Sequence, residues 1–181
     1  MKFVSSFTLL TLAAAAPASL FTGAAIAADK DQVFFESVEG VWTGPGEIVA
    51  GKYKGTKFTC KLNGSTPSGK IGMTLDGACR VGMFSQKMSA TVERRGRGYR
   101  GRFLDGAGGA GLDIVSGNVD GKKVVLSINR NDLNGAMMAR LPDRNSMNVS
   151  VSVRVDRQMV RVIAMDLKRV DEGTVSAVAA E

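Results

Sequence analysis

Residues 93 to 102 read ERRGRGYRGR, five arginines, three glycines and a tyrosine in ten positions. Arginine's planar fork matches the oxygens of phosphate and carboxylate two at a time, so the chemistry open to this stretch is anion capture. RG-rich segments also bind RNA from disordered chains. Here strand-like sequence flanks the stretch, Met88 to Glu93 before it and Phe103 after it, which puts Arg95-Gly96-Arg97-Gly98 at a hairpin tip. Past the tip, Tyr99, Gly101 and Phe103 share one face, and Arg100 and Arg102 take the other. The expectation is an outward basic strip of Arg94, Arg95, Arg97, Arg100 and Arg102. Such a strip serves either as a charged edge that blocks strand addition or as a docking surface for anionic envelope lipid or polysaccharide. Nucleic acid is not an expected partner.

Catalysis has little to work with. The chain contains no histidine, which removes Ser-His-Asp and Cys-His nucleophiles. Glu47, Asp76, Asp105 and Asp113 are available as carboxylates, but nothing in their spacing brings two of them to a glycosidase separation. The chain is read as a non-enzyme, with no catalytic residue, cofactor or metal assigned.

Residues 106 to 111, GAGGAG, satisfy G-x-G-x-x-G. A dinucleotide site needs that motif between a strand and a helix, and the LDIVS that follows reads as a strand, so a flexible hairpin loop is the expectation. Eight methionines lie beyond Met1. Thioethers can ligate Cu(I), but Met137 and Met138 are adjacent and must face opposite ways in a strand. Core filling or pocket lining is the expected use. Cys60 and Cys79 are the only cysteines, spaced far from C-x-x-C. An even count in an exported chain points to a disulfide.

The export signal is at the start. Met1-Lys2 is a short basic segment, Phe3 to Ile26 is a long apolar run, and Ala25-Ile26-Ala27 supplies the small residues of a signal-peptidase site. Residues 1–27 are therefore expected to be a signal peptide cut after Ala27, residues 28–171 a β domain, and residues 172–181 a flexible tail. The location is periplasmic or secreted, and no later run reaches the roughly 20 apolar residues of a membrane span. Formal charge is +7 for the full chain, and cleavage removes one positive charge with Lys2. The balance favours acidic partners.

Asp31 to Glu39 reads as a short helix with Asp31 as its cap and Val33, Phe34 and Val38 on one side. From Gly40 onward the pattern is antiparallel β. Residues 147 to 155, MNVSVSVRV, alternate without a break, one face buried and one wet. Asp76-Gly77, Asp120-Gly121 and Asp156-Arg157-Gln158 are expected turns. Eight to ten strands with short connections leave no room for crossover helices. A single antiparallel β-barrel behind a short N-terminal helix fits better than a sandwich, since closure removes the edges.

Gly40-Val41-Trp42 stands where the helix meets the first strand. In this the chain resembles lipocalin and wider calycin barrels, whose first strand carries G-x-W and whose Trp plugs one end; the resemblance implies that Trp42 is a barrel plug. Other lipocalin motifs and a C-terminal helix are missing. Thr43-Gly44-Pro45-Gly46-Glu47 also resembles the first strand of nitrobindin-type barrels, but haem binding of that kind needs an axial His. The order Trp42, Cys60, Cys79 is similar to that of bacterial periplasmic protease inhibitors, which are disulfide-bonded barrels. W-x-G-x-G followed by a Cys pair is similar to exported alphaproteobacterial β proteins, a group that lends no function. The expectation is a periplasmic binding protein of the cell envelope that holds a small apolar or amphipathic ligand, its mouth near the glycine-rich loop and the arginine hairpin. The alternative is an envelope interaction module, such as a protease inhibitor, with a filled core and an active outer surface.

Overall fold

The computed structural model describes residues 28–104 and 111–170. The cleavage site at Ala27, most of GAGGAG and the tail from 172 lie outside the described residues.

Helix α1 (Lys30–Glu36) begins at Asp29, whose carboxylate accepts the Asp31 amide. The expected cap was Asp31. The cap falls two residues earlier because Asp31 turns its carboxylate to Arg94 and Tyr99. Phe34, Phe35 and Val38 are buried while Val33 is half exposed, so the apolar stripe lies one residue round from the expected one.

Ten strands follow: β1 (Gly40–Ile48), β2 (Lys57–Ser65), β3 (Gly72–Val81), β4 (Phe84–Arg95) and β5 (Gly98–Leu104), then β6 (Leu112–Asp120), β7 (Lys123–Arg130), β8 (Leu133–Asp143), β9 (Ser146–Val155) and β10 (Gln158–Val170). Each pairs antiparallel with its chain neighbours, and β1 closes on β10, with Val41 opposite Val170 and Ile48 opposite Ile163. The all-β barrel expected from alternation is present. A meander of this kind puts its connections at alternate ends. One end, the helix end, holds α1 and the β2–β3, β4–β5, β6–β7 and β8–β9 connections. The opposite end holds the remaining five.

Asp76-Gly77 is not a turn. It lies inside β3, with Gly77 paired to Leu62, and the chain reverses at Gly82 and Met83. Gly77 is needed for close approach, since a Cβ there would lie 2.1 Å from the Lys61 carbonyl oxygen. The same demand explains W-x-G-x-G. Trp42, Gly44 and Gly46 share the inward face of β1, and a Cβ on Gly46 would meet the Phe58 ring at 2.2 Å. Small residues let the strand coil tightly across its neighbours.

Candidate functional site

Trp42 is wholly buried, and its indole N–H donates to the Val38 carbonyl at 2.8 Å. The Arg169 guanidinium stacks 4.3 Å from the Trp42 ring centroid and also donates to the Ser37 and Glu39 carbonyls. Buried α1 side chains pack onto this layer, and Phe35 meets the Tyr99 ring at 5.3 Å between centroids. The helix end is thus sealed by aromatic packing.

Register separates the five arginines. Arg94 sits opposite Tyr99 across the β4–β5 pair, so it shares the inward face and reaches over the barrel end instead of joining an outward strip. Its guanidinium donates to Asp29 at 2.7 and 3.0 Å and to Asp31 at 2.6 Å. Tyr99 donates its hydroxyl to the same Asp31 at 2.6 Å. The Arg94 hydrogen bonds, helped by the Asp31 amide, hold the Asp29 carboxyl down at about 2, and the carboxylates push Arg94 up. Burial first, then the bond to Asp31, raises Tyr99 to about 12. Arg95 pairs with Glu93 at 2.9 Å, Arg100 donates to the Val115 carbonyl, and Arg102 lies 3.7 Å from Asp113. Arg97 makes no ion pair among the described residues.

The β4–β5 hairpin is at the helix end, so the arginines do not flank the mouth; that expectation is corrected by strand parity. The interior is filled under the helix and along β6 and β7 by side chains such as Ile114, Leu126 and Ile128. Toward the other end it is hollow. A cavity of about 310 Å³ lies there, walled by Phe58, Leu75, Met88, Phe103, Met137 and Met165 among others. Gln86 and Ser89 are the polar members of a wall otherwise made of apolar residues.

Cys60 and Cys79 face each other across β2 and β3 and form a disulfide, with Cα atoms 4.0 Å apart. Cys79 is part of the cavity wall, and the Cys60 sulfur lies 3.8 Å from the Met165 sulfur. Met88, Met137 and Met165 line the cavity, whereas Met138, paired with Ser150, faces outward. The carboxylates do not converge: Glu47, Asp76 and Asp113 sit in outward registers of β1, β3 and β6, and Asp105 lies outside the described residues. No cluster of three or more His, Cys, Asp or Glu that could hold a metal occurs among the described residues. No helix among them is long and apolar enough to cross a membrane.

Sequence reasoning missed Arg169 over Trp42 and the apolar character of the mouth. The second had a signal, the hairpin Val81-Gly82-Met83-Phe84, where turn residues are usually polar.

Fold and site together define a closed ten-stranded antiparallel barrel, helix-plugged at one end, with an apolar cavity toward the other. Among solved structures the chain is similar to the crystal structure of Rv2717c from M. tuberculosis, with a TM-score of 0.56 and 15% identity over 78% of this chain and 98% of that one. That likeness shows the barrel fold alone. No protein-family model matches the chain, and no curated protein matches it.

Proposed function

We propose that this chain is an exported binding protein of the cell envelope that holds a small apolar or amphipathic ligand in its barrel. The observation that carries the reading is the cavity of about 310 Å³ with its apolar wall. Ligand pockets run from about 300 to 1,000 Å³, so this one suits a single acyl or isoprenoid chain and not a two-chain lipid. Gln86, beside the disulfide in register, offers its amide to a polar head. The wall methionines can repack around ligands of different shape. The G-x-W resemblance supports a calycin-like barrel, with Trp42 sealing the floor. The disulfide suits an oxidising compartment, in accord with the N-terminal export signal.

The rival reading, a protein-interaction module acting through its outer surface, expected a filled interior. The hollow half favours the container.

The test is paired native and denaturing mass spectrometry on protein purified from the periplasm of cells expressing the full precursor. The denatured mass should place the cut after Ala27 and show two hydrogens fewer for the cysteine pair. The native mass should carry an apolar adduct that disappears in Ala90→Trp, a change that fills the cavity. An unchanged adduct in Ala90→Trp, or none in either protein together with no uptake of a fluorescent fatty acid, would sink the container reading.

A further inference from the structure

The two ends of the barrel differ in polarity. The tight turns at the helix end are polar: Arg95-Gly96-Arg97-Gly98, Asp120-Gly121-Lys122-Lys123 and Asp143-Arg144-Asn145-Ser146. Those at the open end carry large apolar side chains in water. Met83 is 94% exposed and Phe84 80%, Val81 is exposed beside the same turn, and Leu133, Val155 and Met159 are exposed beside the turns at 131–132 and 156–157. Val81 and Phe84 are a cross-strand pair in the inward register, since Val81 follows cavity-lining Cys79 by two residues. Leu133 and Val155 hold the same register on β8 and β9, four residues from cavity-lining Met137 and Val151. Val81 itself lines the cavity, and with Phe84 on one side of the mouth and Leu133 and Val155 on the opposite side it forms a two-sided apolar collar at the rim. Exposed apolar side chains on both sides of a cavity mouth mark a docking site.

Cations surround the collar. Lys54, Arg80, Lys87, Arg154 and Arg157 are exposed there and form no ion pair among the described residues, whereas the described carboxylates at this end are Glu47, Asp132, Asp156 and Asp113, the last paired with Arg102. Apolar tips among unpaired cations match the interfacial layer of an anionic bilayer, which takes apolar side chains below its headgroups and draws cations to its surface. A second copy fits poorly, because rim-to-rim contact would oppose like charges.

We infer that the open end is a membrane-docking face that seats on anionic lipid, with the cavity mouth turned to the bilayer. This deepens the container reading by naming the surface from which a single-chain ligand is collected. Docking itself needs only the rim.

The test is co-flotation of the full β domain with phosphatidylcholine vesicles, with and without phosphatidylglycerol, at low and high salt. Native protein should float with the phosphatidylglycerol vesicles and be released by salt. Arg154→Gln and Arg157→Gln should each weaken partitioning about fivefold. The Met83→Ser, Phe84→Ser double variant should weaken it at least about tenfold, since each buried methylene counts in membrane partitioning. Arg95→Gln with Arg97→Gln, at the helix end, should change nothing. The rim residues are exposed, so melting temperatures should be unaltered. No flotation, or flotation lost equally in the Arg95, Arg97 variant, would overturn the inference. So would a dimer that disappears in Met83→Ser, Phe84→Ser, because the collar would then belong to a second copy. Fatty-acid uptake without vesicles, measured on the native protein, reports on the cavity separately: uptake without flotation overturns only the docking, and flotation without uptake overturns only the container.

Discussion

Arg94 grips Asp29 with both terminal nitrogens, at 2.7 and 3.0 Å, and so ties strand β4 to the residue that caps the plug helix. A single guanidinium joins the capping carboxylate, the Asp31 carboxylate and the end of the barrel wall. The helix is short, with seven residues, and a helix of that length is marginal alone. Its position depends on this latch and on the burial of Phe34 and Phe35.

The latch should weaken in acid. The Asp29 pKa is lowered from 3.8 to about 2 on folding, so its contribution is present above about pH 4 and lost as pH falls through about 2. Asp29→Asn should melt below the native protein at neutral pH, and the gap should close between pH 4 and 2. A gap that stays constant to pH 2 would show that the carboxylate carries no such role.

The alkaline side tests the same cluster from the other direction. Tyr99 ionises at about 12 in the folded protein against an ordinary 10.0, so its neutral form stabilises the fold below pH 10 and that support is lost as pH rises through 12. In Tyr53→Phe, Tyr99 is the one tyrosine left. Its ultraviolet titration should have a midpoint near 12, and Asp31→Asn should lower it.

Removing the disulfide should cost stability without changing the fold. The cross-link spans 19 residues, and closing a loop of that order is worth about 3 kcal/mol. Cys60→Ala with Cys79→Ala should lose about that much in urea denaturation and make the protein indifferent to reductant.

The hollow half of the barrel should tolerate truncation better than the filled half. Ile128 is 1% exposed among packed neighbours, so Ile128→Ala should cost about 2–5 kcal/mol. Met137 already faces the cavity, so Met137→Ala should cost less than about 2 kcal/mol. Equal losses would mean that the interior is filled in solution.

Strand β8 shows where the sequence stops being legible. Its residues LNGAMMARLPD contain no β-branched side chain, and weak local preference is overridden by pairing with β7 and β9. Asp76-Gly77 errs the other way, a strong turn dipeptide held extended because Gly77 must lie against the β2 backbone. The outward strip expected for Arg94 and Arg95 together fails because adjacent strand residues alternate, and the register opposite Tyr99 turns Arg94 inward.

What the sequence determined by itself is what short-range physics controls. Period-two alternation, with Gly, Asp and Asn between the runs, specifies strands with one wet face, and short gaps force them to be antiparallel neighbours. The paired cysteines and the buried Trp42 follow from the same local reading. Tertiary structure alone decided which end is plugged, where the interior is hollow and which arginines are bound. Those depend on the summed volumes of side chains from ten strands and on a β1–β10 register set by residues more than 100 positions apart, and no local window of sequence contains them.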